Sequence, residues 1–181
     1  MGAAHHEVVI AELPSLLPRL WRYGLVLARN REAAEDLVQA TCVRALERSS
    51  QFETGTRLDR WLFTILRSIW INQLRAQRVR LGQGLADPEE GLISDGVREI
   101  ETNIFAAQVF REVLELPEAQ RETVLLVYVE GLTYREAAEI LKVPVGTIMS
   151  RLADARLKLS GLNAETPTKR GKARRAHEGG G

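Results

Sequence analysis

The stretch "TYREAAEILKVPVGTIMSRLADAR", residues 133–156, reads as two short helices broken at one point. Thr133 and Glu136 stand at the Thr-x-x-Glu spacing of a capping box just after Gly131, so a helix starts at Thr133. Its apolar positions Ala137, Ala138 and Leu141 recur at helical spacing. Pro144, which has no backbone N–H and disfavours a helical residue before it, stops the run at Lys142 and Val143. Pro144 then suits a new helix start. The second helix turns Ile148, Leu152 and Ala155 toward a core and leaves Val145, Thr147, Ser150, Arg151 and Asp154 on other faces. Two short helices joined by about three residues predict a helix-turn-helix.

Such a motif reaches the major groove with the N-terminal end of its second helix. Gly146 keeps that end slim. Thr147 and Ser150 can donate to phosphate or bases, and Arg151 can make a bidentate contact to guanine or grip a phosphate. The plainer alternative is a helical hairpin with a solvated polar face. The capping box, the turn length and the polar helix start together favour DNA.

The rest of the 181 residues fit a helical protein. Hydrophobic residues make up 45% of the chain, and Ala, Leu, Glu and Arg dominate, without the sustained alternation that marks strands. An all-α fold is therefore expected. No run is long and apolar enough to span a bilayer and the start "MGAAHHEVVIAELP" lacks the pattern of a signal peptide, so a cytoplasmic location without membrane insertion is expected. Cys42, the one cysteine, has no partner at metal-ligand spacing and reads as a small buried apolar residue. His5, His6 and His177 are read as lying in flexible termini, away from any acid or hydroxyl at a recognisable spacing. No nucleophile, metal set or phosphate-cradling loop is present, so no enzyme, no cofactor, no metal and no small-molecule substrate are expected.

The net charge of +1 hides a strong segregation. Residues 57–80 carry six arginines against Asp59 alone, a local +5, whereas residues 82–103 carry six acids against Arg98, a local −5. The acidic stretch also holds four glycines and a proline and interrupts the helical periodicity. It reads as a flexible linker over 82–103 between two small helical domains, roughly 8–81 and 104–162. Residues 163–181, with Lys169, Arg170, Lys172, Arg174 and Arg175, read as a disordered basic tail.

In the first unit Asn30 can cap a helix whose stripe Ala34, Leu37, Val38, Thr41, Cys42 and Ala45 faces inward. Asp36, Gln39 and Val43 lie on a neighbouring face. In the next helix Trp61, Leu62, Ile65, Leu66 and Ile69 cluster on one side, and Arg60, Arg67, Arg75 and Arg78 fall within an arc of about 80° nearly opposite. A solvated face usually mixes signs, so this stripe suits phosphate. Trp70, Asn72 and Gln73 border it and suit stacking on unpaired bases, and core packing is the better account of Trp61 than of Trp70.

Three motifs in series, "AEDLVQATCVRAL" (34–46), "WLFTILRSIWINQLR" (61–75) and "LPEAQRETVLLVYVEGLTYREAAEILKVPVGTIMSRLADAR" (116–156), resemble the extracytoplasmic-function class of bacterial sigma factors. The resemblance covers nearly everything from Pro14 to Leu159. It implies a region 2 at 8–81, whose Asp36, Leu37, Val38 and Gln39 dock on core RNA polymerase. It implies further that the loop from Phe52 to Asp59, together with Arg60, Arg67, Trp70, Asn72, Arg75 and Arg78, captures and melts minus-10 promoter DNA. It implies a region 4 at 104–162, in which Val145, Gly146, Thr147, Ser150, Arg151 and Arg156 read the duplex at minus-35. A linker that acts as a nucleic-acid mimic, an anti-sigma factor as a further partner and a role in a stress or envelope response are also implied. The chain departs from residues common in the family at Ser68, Asn72 and Asp154.

The competing reading is a sigma mimic that sequesters an anti-sigma factor without binding DNA. It predicts eroded arginines and a degenerate recognition helix, whereas the stripe and Arg151 are intact.

Overall fold

Seven α-helices and no strand make up the residues that the computed structural model describes, 2–80 and 104–164. They are α1 (Gly2–Ala28), α2 (Arg31–Glu47), α3 (Leu58–Arg80), α4 (Ile104–Leu114), α5 (Glu118–Val124), α6 (Tyr134–Leu141) and α7 (Val145–Ala164). The acidic linker, 82–103, lies outside the described residues, as does the basic tail beyond Ala164.

Local chemistry sets the helix ends. The Asn30 side chain accepts a hydrogen bond from the Ala33 N–H at 3.0 Å and starts α2. Both halves of the capping box form at α6, Thr133 accepting from the Glu136 N–H and Glu136 accepting from the Thr133 N–H. That helix ends at Lys142, which takes the left-handed conformation (φ +54°), while the Val143 N–H donates back to the Ala138 carbonyl. Gly131, at φ +69°, makes the turn that leads into α6 without the steric cost a side chain would bring.

The first unit is a three-helix packing around Leu20, Tyr23, Val26, Ala34, Leu37, Leu62, Phe63 and Leu66. Tyr23 and Phe63 meet edge to face at 5.4 Å, a geometry that adds about 0.5–1.5 kcal/mol to the burial itself. Gly24 lets α1 run close to α2, since a Cβ there would lie 3.1 Å from the Ala34 carbonyl oxygen. The helix α1 begins well before the expected boundary and continues through Pro14 and Pro18. His5 and His6 therefore sit on a helix, and His6 Nδ1 lies 3.0 Å from Ser49 Oγ. Cys42 is half-buried, and burial pushes its thiol above the ordinary range.

In the second unit Ile148, Leu152 and Ala155 of α7 pack into a core with Ala137, Ala138 and Leu141 of α6 and Leu125 and Leu126 after α5. After Val124 the chain continues as one wide turn of π-helix, Leu125–Val129. The two units touch: α5 packs on α1, and α6 packs on α3.

Candidate nucleic-acid interface

The helix α3 presents its predicted stripe in two different states. Asn72, Arg75 and Arg78 are exposed, whereas Arg60 and Arg67 are half-buried and Trp70 is buried. Trp61, expected to be the core tryptophan, is the less buried of the two and rests on Phe52 with ring centroids 5.5 Å apart. The reason lies across the molecule. Arg60 pairs with Glu136 at 3.6 Å and with Glu139, both on α6. Arg67 pairs with Glu122 of α5 at 3.4 Å, and the Trp70 indole N–H donates to Glu118 of α5 at 3.3 Å.

The start of α7 is the other predicted contact surface. Val145, Gly146 and Ser150 are exposed, and Thr147 and Arg151 are half-exposed, so the N-terminal turns of this helix stand clear of the core. The Ser150 hydroxyl donates to the Thr147 carbonyl at 3.1 Å, which leaves its lone pairs outward. Arg156 is exposed but turned back. Its guanidinium donates through Nε to the Tyr128 hydroxyl at 3.0 Å and lies over that ring, 5.7 Å from the centroid.

A set of charged residues that sequence reasoning missed ties the units together. Glu130, with its side chain almost wholly buried, receives Arg19 and Arg22 of α1, the latter at 2.8 Å. Arg19 also reaches Asp59 at 2.8 Å, and Arg57 joins Asp59 at 2.7 Å and Glu136 at 3.5 Å. Burial pushes the Asp59 carboxyl up, but hydrogen bonds from Arg57 and Arg19 outweigh it and hold the group below its usual range. Arg121, buried at the foot of α5, donates through Nε to the Val26 carbonyl at 2.6 Å and through Nη1 to Leu114 and Leu116 at 3.1 and 3.0 Å. Val26 is in the last turn of α1, where carbonyls have no helical partner, so Arg121 caps a helix of the other unit. The signal that could have found these residues is weak: across the units, acids and arginines are separated by 55 to 111 positions.

Comparison with known proteins matches both units. Residues 14–80 fit the Sigma-70 region 2 family model and residues 107–159 fit Sigma-70, region 4. The ECF RNA polymerase sigma factor EcfG of Rhodopseudomonas palustris (strain TIE-1) is 36% identical over 152 residues, 83% of this chain and 82% of that one. The ECF RNA polymerase sigma factor SigC of Mycobacterium tuberculosis is 34% identical, covering 76% of this chain and 73% of its own. The chain belongs to the extracytoplasmic-function sigma factors. The structure of the sigma factor RpoE in complex with the anti-sigma factor NepR from Bartonella quintana has the same fold, with a TM-score of 0.68 and 28% identity over 86% of this chain and 96% of that one.

As a sigma factor the chain is a promoter-recognising transcription initiation factor and not an enzyme. No helix among the described residues is long and apolar enough to cross a membrane. On the face of this sigma factor expected to meet polymerase, Asp36 and Gln39 are exposed and Val38 is half-buried. Leu37, however, is fully buried in the region 2 core, because it shares the inward stripe with Ala34 and Thr41. Val43, on the same helix, is exposed. An open groove of about 300 Å³ between α2 and α3, lined by Ala33, Asp36, Gln73, Ala76, Gln77 and Arg80, connects this face to the end of the arginine stripe.

Proposed function

We propose that this sigma factor docks on core RNA polymerase through the α2 face of Asp36, Val38, Gln39 and Val43. In this reading α3, with the loop from Phe52 to Asp59, captures the unpaired minus-10 strand, while α7 reads duplex DNA at minus-35. Arg60, Arg67, Arg75 and Arg78 supply the positive field. Trp70 supplies a stacking surface, and Asn72 supplies an amide able to donate to and accept from a base. Val145, Gly146, Thr147, Ser150 and Arg151 meet the major groove, and Arg156, held by Tyr128, meets the phosphate backbone beside it. In this reading the protein acts in the cytoplasm, in a stress or envelope response, with an anti-sigma factor as a partner, and the similar sigma factor RpoE was solved in complex with the anti-sigma factor NepR.

One observation carries the reading. A single chain exposes the polar start of α7, well separated in sequence from an α3 whose Arg75, Arg78 and Asn72 are open to solvent. The first helix fits a duplex groove and the second fits a flexible single strand, which are the two forms of DNA a promoter presents during opening. The test is reconstitution of the purified chain with sigma-free bacterial core polymerase and genome-wide mapping of transcription starts. A shared motif pair upstream of the new starts is expected. Starts identical to those of core polymerase alone would overturn the proposal.

A further inference from the structure

We propose that α7 selects its duplex through thymine methyl groups, with Met149 and Ala153 as specificity-determining residues on a strip that also holds Gly146 and Ser150. The proposal rests on the reading of α7 as the duplex-reading helix and adds the chemistry by which that helix chooses a sequence.

At 3.6 residues per turn, Gly146, Met149, Ser150, Ala153 and Leu157 fall within an arc of about 100°, roughly opposite the buried Ile148, Leu152 and Ala155. All five are exposed. Met149 keeps 56% of its surface in water and Leu157, further along the same strip, keeps 72%. Single exposed apolar side chains need no explanation, but these adjoin one another on the helix that stands clear of the core. The one hydroxyl on the strip, that of Ser150, donates inward to the Thr147 carbonyl at 3.1 Å. The middle of the helix therefore presents thioether and methyl groups.

Charge completes the pattern. Arg156 lies on one flank of the strip, and Arg151 and Lys158 lie on the other. A helix in a major groove meets a phosphate backbone on each side and base edges along its middle, so the cations belong to the backbones and the strip to the groove floor. Asp154, exposed between the strip and the Arg151 flank, is repelled by phosphate but can accept from a cytosine amino group. Base edges on that floor offer donors, acceptors and one apolar group, the thymine C5 methyl. Met149 and Ala153 match the methyl alone.

Gly146 is an independent sign of an external partner. Glycine disfavours a helix, yet its φ here is not positive and a Cβ would meet no atom within 4 Å, so nothing inside the described chain calls for it. Bare backbone in the first turn lets base edges come close enough for Met149, one turn on, to reach them.

The test uses the full chain reconstituted with core polymerase, on the promoter duplexes that transcription-start mapping yields. Each thymine of their shared upstream motif is replaced in turn by deoxyuridine, which removes the C5 methyl and keeps every hydrogen-bonding group. With the parent, at least one such replacement should weaken competition binding about fourfold, the effect of losing one buried methyl. Met149→Ala or Ala153→Ser, both at exposed positions and checked by circular dichroism, should bind the thymine duplex more weakly and lose the deoxyuridine penalty at its own thymine. Gly146→Ala should weaken binding while the melting temperature stays unchanged or rises. Deoxyuridine tolerated at every thymine, or a penalty undiminished in both Met149→Ala and Ala153→Ser, overturns the proposal and leaves duplex reading by α7 standing. The absence of any shared upstream motif overturns duplex reading itself, and the proposal with it.

Discussion

Arg67 of α3 meets Glu122 of α5 at 3.4 Å with the Glu122 side chain 4% exposed, and this pair joins the two helical units of the sigma factor. Burial pushes the Glu122 carboxyl up, and Arg67 opposes that shift without cancelling it. A buried ion pair with an orphaned oxygen contributes little to stability. Replacing both partners by apolar residues, Arg67→Met with Glu122→Leu, is expected to leave the fold as stable or about 1–4 kcal/mol more stable in urea titrations. Promoter melting should fall, because the arginine proposed to meet the DNA strand is gone. A loss of several kcal/mol would show that the pair is a net source of stability.

Asp59 gives the chain an acid-sensitive tie. Its folded value lies below the ordinary aspartate value, so the stability it contributes is present above that value, about 3.9, and is lost as pH falls through the lowered folded value. Asp59→Asn should cost about 1–3 kcal/mol at pH 7, because Arg19 and Arg57 lose a charged acceptor. The difference from the parent should shrink below about pH 4. Urea melts at pH 7 and pH 3 check it, and an equal difference at both pH values would remove Asp59 from the account.

Two neighbours on α2 should behave in opposite ways. Asp36→Arg is exposed and should abolish co-purification with core polymerase while leaving the circular dichroism and melting temperature unchanged. Leu37→Ala, at 0% exposure, should cost about 2–5 kcal/mol of stability through the cavity it leaves. Undiminished polymerase binding by Asp36→Arg would place the docking surface elsewhere.

The helix-turn-helix depends on a local cap. Thr133→Ala removes the acceptor of the Glu136 N–H and should cost about 1 kcal/mol in thermal melts, with minus-35 duplex binding weakened in proportion to the frayed fraction. A variant as stable as the parent would mean that tertiary packing alone holds α6.

What could be read from the chain and what could not divides along a physical line. Asn30, Thr133, Glu136 and Pro144 act on neighbours within a few residues, so their spacing exposes the helix ends directly. Ile148, Leu152 and Ala155 report a core through periodicity, and all three are buried as the spacing requires. The sidedness of α3 was legible only in part. Periodicity gives one inward face, but α3 is covered on a second side by α5 and α6, which buries Trp70 and half-buries Arg60 and Arg67. Nothing local in the sequence marks Glu118, Glu122 or Glu139 as partners of that face. The acidic linker, read as a nucleic-acid mimic, lies outside the described residues, and the acids that meet α3 come from α5 and α6. Leu37 belongs by spacing to the inward stripe and by resemblance to the polymerase-docking segment, and its side chain is fully buried.

The two units are proposed to divide promoter recognition, duplex reading by α7 and strand capture by α3. Permanganate reactivity of unpaired thymines, followed on an intact promoter and on the same promoter with a pre-melted bubble, tests it most directly. Arg151→Ala should lose about 1–3 kcal/mol of duplex affinity and should not be rescued by the bubble. Trp70→Ala should form the closed complex normally, lose thymine reactivity on the intact promoter by the roughly 1–3 kcal/mol that base stacking contributes, and regain much of it on the bubble. Equal rescue of both variants, or normal reactivity from both, would contradict the division.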